Sequence, residues 1–137
     1  MTTVKLLVNV DVADLDEAVD FYVGAFELRI GRRFADYGVE LVDGSAPIYL
    51  LARAAATPAS ACSQQLRDYR RHWTPVHLDF VVEDVAAALR RAVAAGADLE
   101  GEVETHAWGR IAHLADPFGN GFCILQFLNR GYDEIAD

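Results

Sequence analysis

A shift of 70 positions lays one half of this chain on the other, and that internal repeat is the strongest constraint on its fold. Val8 to Leu15 (VNVDVADL) falls on Leu78 to Val85 (LDFVVEDV), with Asp14 on Asp84, Ala18 on Ala88 and Ala25 on Ala95. Self-similarity at a fixed offset means one supersecondary unit used twice, so both copies must bury the same kind of face. In the first copy, Val4, Leu6, Val8, Val10 and Val12 alternate with Lys5, Leu7, Asn9 and Asp11, the period of a half-buried strand. Leu15, Ala18, Val19, Tyr22 and Ala25 or Phe26 then recur at helical spacing behind Asp14, an N-cap residue with Glu17 three positions on. Strand-like runs follow at about Leu28 to Phe34, Gly38 to Val42 and Pro47 to Ala52, separated by turns such as Asp43-Gly44-Ser45.

The second copy repeats the order. Val76 to Val82 predicts a strand with His77, Asp79 and Val81 on one face, and Asp84 to Ala95 a helix closed by Gly96. Leu99 to Glu104, Arg110 to Ala115 and Phe122 to Phe127 predict three strands, with Asp116-Pro117-Phe118-Gly119-Asn120 as the last turn. The expected class is α+β, two βαβββ modules in tandem forming a curved mixed sheet around a cavity. Module one spans about 4–52, a linker 53–73 with one helical turn at Gln64 to Arg71, module two about 74–128, and a tail 129–137, all within a single domain over 1–137. A sheet with one covered face leaves the other to work, and ligand sites favour concave surfaces with a few polar groups among apolar ones. Leu7, Asn9, His77, Asp79, Cys123, Leu125 and Phe127 are expected on that face, with Tyr49 or Leu50 in the place of Cys123.

Composition narrows the partners. Twelve Lys and Arg against 21 Asp and Glu give a net charge of −9, which disfavours nucleic acid and anionic membrane and suits a cationic guest. With 137 residues and only Cys62 and Cys123, the chain has no disulfide framework. The start, MTTVKLLVNV, lacks a signal-peptide layout and no apolar run reaches the ~20 residues of a membrane helix, so a cytoplasmic protein is expected.

The repeated βαβββ order, the phrases DVADLDEAVDFYVGAFEL and HLDFVVEDVAAALRRAVAAGADL, and the closing WGRIAHLADPFGNGFCILQF resemble the vicinal oxygen chelate superfamily. That superfamily holds glyoxalase I, extradiol dioxygenases and the fosfomycin- and bleomycin-resistance proteins. The likeness covers about Val4 to Leu128, and Trp108-Gly109-Arg110 with Asp116-Pro117-x-Gly119-Asn120 is similar to the bleomycin-resistance and glyoxalase-like branches. The resemblance implies homodimers and, in metal-dependent members, His, Glu or Gln on the first and last strand of each half. Here those places hold Leu7, His77, Cys123 and Tyr49 or Leu50, a poor set for Mg, Mn or Fe(II). No catalytic residue, metal or other cofactor is therefore expected.

The reading that follows is a metal-independent protein that binds a small planar or cationic molecule such as an antibiotic, through Leu7, Asn9, Tyr49, His77, Asp79, Trp108, Cys123 and Phe127. Phe34, Tyr37 and Trp73 are further aromatic candidates. The alternative is a glyoxalase-like lyase or dioxygenase holding a divalent metal ion through His77, with His106, His113 or Glu40 in a rearranged site. A metal-free enzyme using His77 and Asp79 as an acid/base pair is a third reading. Competing with all of these, Asp79 can simply satisfy His77, and Cys123 can serve as a small buried hydrophobe.

Overall fold

The computed structural model describes residues 3–137. Two compact units divide the chain after Tyr69. In the first unit, β1 (Val8–Val12), α1 (Leu15–Phe26), β2 (Arg29–Phe34), β3 (Gly38–Val42) and β4 (Ile48–Ala52) follow one another, and the four strands pair in the order β1-β4-β3-β2. In the second, β5 (Leu78–Val81), α2 (Val85–Ala95), β6 (Asp98–Thr105), β7 (Gly109–Ala115) and β8 (Gly121–Phe127) pair as β5-β8-β7-β6. A short 3-10 helix, Gly131–Glu134, ends the chain. The first and last strands of each unit run parallel and the remaining pairs antiparallel, so the two units share one topology, tandem βαβββ.

Both helices start as their sequences dictate. Asp14 Oδ1 accepts from the Glu17 amide at 3.0 Å and Asp84 Oδ1 from the Ala87 amide at 3.1 Å, each satisfying an amide that has no partner within its helix. Helix α2 ends at Gly96, whose φ of 121° is one that a side chain rarely tolerates. In the first unit, Ala18, Val19, Phe21, Tyr22 and Ala25 of α1 share the core with Val12, Val39, Leu41, Ile48 and Leu50. In the second, Val85, Ala88 and Ala92 share it with Ala112, Leu114, Phe122 and Ile124. A fully buried Leu, Ile or Phe contributes about 1.5–3 kcal/mol from removed apolar surface alone.

Three expectations need correcting. Strand β1 begins at Val8 rather than Val4, because its partner β4 begins at Ile48 and the register starts at Val8 opposite Ile48. Strand β5 is Leu78–Val81 for the same reason, since its ladder starts opposite Phe122, and His77 lies just before it. The segment from Gln64 to Arg71 makes no helical turn. Instead Pro58 bridges Leu66, and Arg67 Nε binds Asp11 Oδ2 at 2.7 Å while its Nη atoms donate to Thr57 Oγ1 and the Pro58 and Ala59 carbonyls. One guanidinium thus supplies the order that a helical turn was expected to supply. Among the described residues, no helix is long and apolar enough to cross a membrane.

The turn Asp116 to Asn120 closes on one carboxylate. Asp116, 2% exposed, accepts at Oδ1 from the Phe118 and Asn120 amides (2.8 and 2.9 Å) and at Oδ2 from Asn120 Nδ2 (2.9 Å). Asp116→Ala leaves two amides without their acceptor, and urea denaturation should read a loss of about 3 kcal/mol. Asn120→Ala, which removes one bond and no charge, should lose about 1 kcal/mol.

Candidate functional site

Alternation places every second residue of a strand on the face away from its helix. In the second unit the register sets Asp79 opposite Cys123, Cys123 opposite His113 and His113 opposite Glu100, one polar row across all four strands. His77 Nε2 lies 3.3 Å from Asp79 Oδ1, and the ligating atoms of His77, Asp79 and Cys123 fall within 4.8 Å of one another. His113 Nδ1 lies 3.9 Å from Glu104 Oε2. Trp73 stands edge-on to both imidazoles, with ring centres 5.3 Å from His77 and 5.9 Å from His113. Its Nε1 donates to Glu100 Oε2 at 3.0 Å, and Arg71 lies 5.1 Å from the centre of its ring and pairs with the same carboxylate. The ring rests on Gly121, where an added Cβ would come 2.6 Å from Trp73 Cε2.

The chemistry of this row is that of held protons. Burial first, and then the Asp79 charge and hydrogen bond, push the Cys123 thiol up to about 12, so the thiolate that would attack or ligate is disfavoured at neutral pH. The donors of this cluster, one imidazole, one carboxylate and one soft thiol, do not fit an octahedral Mg, Mn or Fe(II) ion, which takes oxygen and imidazole.

A second cluster in this unit is aromatic. His106 and Trp108 stack with centres 5.0 Å apart and planes 5° from parallel, Trp108 meets Tyr132 at 5.3 Å, and Tyr132 meets Phe127 edge-on at 4.8 Å. One backbone and one side-chain hydrogen bond hold the ladder: Leu128 N donates to the Trp108 carbonyl at 2.9 Å and the Asn129 side-chain Nδ2 to the Ala107 carbonyl at 2.8 Å. Phe127, Asn129, Arg130, Gly131, Tyr132 and Asp133 line a cleft of about 400 Å³. Phe127 and Tyr132 remain 41% and 48% exposed, so ring surface is available to a ligand.

The first unit carries its own cluster. Asn9 faces Tyr49 and Tyr49 faces Glu40 in register. Tyr49 is therefore the counterpart of Cys123, since Ile48 pairs with Val8 as Phe122 pairs with Leu78, and Leu50 points into the core. Glu40 accepts at Oε2 from the Tyr49 hydroxyl and Arg32 Nη2, both at 2.7 Å, and at Oε1 from the amide and Nε of Arg32 at 3.0 and 3.1 Å. The Arg32 bonds, aided by Tyr49, hold the Glu40 carboxyl at about 2. A β-bulge interrupts β2 between Ile30 and Arg33, and an added Cβ at Gly31 within it would come 2.6 Å from Glu40 Oε1.

The residues expected from sequence thus divide. His77, Asp79 and Cys123 form one cluster, Trp108 and Phe127 belong to another, and Asn9 and Tyr49 adjoin in the first unit. Leu7 is an exposed residue ahead of β1 and joins neither cluster. Arg32, Glu100, Glu104 and Tyr132 were not anticipated. The coincidence of Gly31 and Gly101 under the 70-residue shift was the available signal for Arg32 and Glu104, because both glycines sit within bulges.

Two outcomes are expected. Glu40 titrates at about 2 when folded against 4.5 ordinarily, so its contribution to stability is complete above pH 4.5 and is lost as pH falls toward 2. Melting curves of wild type and Glu40→Gln should therefore differ most at neutral pH and converge in that acid window. Iodoacetamide at pH 7.5 should alkylate exposed Cys62 and leave buried Cys123 unmodified until denaturant is added; equal labelling of both in the native state would contradict the protonated, buried thiol.

Comparison with known proteins bears on this geometry. A family model described as a glyoxalase-like domain matches residues 7–125. An uncharacterized protein of Mycobacterium bovis is 31% identical over 129 residues, spanning 90% of this chain and 84% of its own. The anthracycline biosynthesis protein DnrV of Streptomyces peucetius is 40% identical over 67 residues, 49% of this chain and 23% of that one. Among solved structures, the fosfomycin resistance protein FosX of Listeria monocytogenes superposes with a TM-score of 0.70 at 14% identity, over 93% of this chain and 96% of its own, a likeness of fold. With a family match spanning both units, the chain belongs to the glyoxalase-like domain family, and its repeated βαβββ topology is that of the vicinal oxygen chelate fold.

Proposed function

We propose that the protein binds a small, planar, cationic molecule without a metal ion, in the manner of the bleomycin-resistance branch of its superfamily. The observation that carries this reading is the aromatic ladder of His106, Trp108, Tyr132 and Phe127 beside the cleft of about 400 Å³. Flat rings with exposed faces attract flat guests, and a cation over such a face gains about 0.5–2 kcal/mol. The net charge of −9 favours a positive guest, and at the cleft Asp133 offsets Arg130, whose guanidinium is already paired with Glu134 at 2.8 Å. The likeness of half the chain to an anthracycline biosynthesis protein is in keeping with a planar polycyclic ligand. Metal independence is supported by the donor chemistry around His77, where one imidazole and one carboxylate are joined by a soft thiol and not by further oxygen or imidazole ligands.

Titration calorimetry with proflavine, an anthracycline and bleomycin, before and after treatment with EDTA, tests the reading. At least one should bind, EDTA should leave the affinity unchanged, and Trp108→Ala or Tyr132→Ala should weaken it about tenfold, the worth of one stacking contact of ~1.4 kcal/mol. Absence of heat with all three, or binding abolished by EDTA, would defeat it; stoichiometric metal in protein purified without chelator would favour the lyase or dioxygenase alternative.

A further inference from the structure

We propose that Arg32, held by Glu40 and Tyr49 on the first unit, is the anchor of a separate subsite for an aryl carboxylate. The proposal extends small-molecule binding to a second place and does not require the cationic site on the other unit.

Arg32 is immobilised yet not used up. Its Nε and Nη2 donate to the two Glu40 oxygens at 3.1 and 2.7 Å, and Nη2 donates also to the Tyr49 hydroxyl at 2.9 Å. The hydroxyl in turn donates to Glu40 Oε2, so three groups form a closed ring of hydrogen bonds. Nη1, with two N–H groups, has no partner among the described residues, and the side chain is 69% exposed. An exposed ion pair contributes little to stability. This one nevertheless occupies a bulge, a carboxylate that is nearly buried, and a glycine whose Cβ would displace it. What the arrangement does achieve is to fix a guanidinium, so that an oxygen arriving at Nη1 meets a donor that has already lost its rotamer freedom.

The neighbours supply the rest of the recognition. Phe34 lies 6.1 Å from the Tyr49 ring and 6.3 Å from the Tyr37 ring, with planes tilted 35° and 30°, a short aromatic row leading away from the guanidinium. Tyr37 is 48% exposed. A guest whose ring covers this row brings a substituent to Arg32, and a charge-assisted bond to carboxylate is about twice as strong as one to a neutral acceptor. Glu40 offsets the guanidinium charge, so the subsite rewards an anion that also stacks and gives small inorganic anions little.

The test uses 2-naphthoate, with acetate and proflavine as comparisons, on the full chain. Naphthoate should bind with acetate giving no measurable heat, and the Arg32 Nε–H resonance in a ¹⁵N spectrum should shift on titration. Arg32→Met should weaken naphthoate at least tenfold and leave proflavine unchanged. Phe34→Leu, which leaves the ion pair alone, should weaken it several-fold, and Trp108→Ala should not affect it. Naphthoate affinity unchanged in Arg32→Met, or a titration in which the Arg32 resonance does not move, overturns the proposal. Loss of proflavine binding in wild type with naphthoate retained would instead defeat the cationic reading alone.

Discussion

Everything described at both polar faces depends on the parallel pairing of the first and last strand of each unit. Parallel neighbours need a crossover, and the helix that provides it must then cover one face of the sheet. Covering one face commits Val12, Leu41 and Leu50, or Leu114 and Ile124, to the core and exiles every alternate residue to the other side. The same ladder fixes which exiled residues meet. Asn9 with Tyr49 and Asp79 with Cys123 are contacts of register before they are contacts of chemistry.

The two units use that common ground differently. Where one places Glu40 and Tyr49, the other places His113 and Cys123. The first arrangement is an ion pair whose acid has lost its proton, while the second is a row in which a thiol keeps its own. An ionised acid beside a guanidinium and a neutral thiol beside a carboxylate are opposite answers to the cost of carrying polar groups on a partly covered face.

Much of the fold was legible because hydrophobic period and caps are local signals. The 70-residue repeat located β1 with β5 and α1 with α2, and Asp14, Asp84 and Gly96 marked helix ends that the structure keeps. Strand starts were less legible, since β1 and β5 begin where a partner begins and that partner lies 40 or more residues away. The linker was misread because its order comes from Arg67 reaching back to Asp11, a contact with no periodicity. Of the candidate residues, His77, Asp79 and Cys123 were visible from strand parity. The Arg32–Glu40 pair was not, because a bulge breaks parity at the point where it forms. Tyr132 was overlooked since the 3-10 helix bearing it packs its ring on Trp108 and Phe127, a tertiary fact.

Each unit carries one bulge in the same ladder, between its second and third strands, and each bulge contains one of the glycines that the repeat superimposes, Gly31 and Gly101. A bulge is an extra residue that shifts the parity of the strand beyond it. In the first unit the side chains on either side of the irregularity therefore answer to different counting rules, since Ile30 and Arg33 pair with Leu41 and Val39, whereas in the second Glu100 and Glu104 pair with His113 and Ile111 and parity is kept. The two halves thus share the place of this irregularity while differing in its size, one extra residue in the first and two in the second, so the same ladder carries a switch of face in one unit and a simple loop-out in the other.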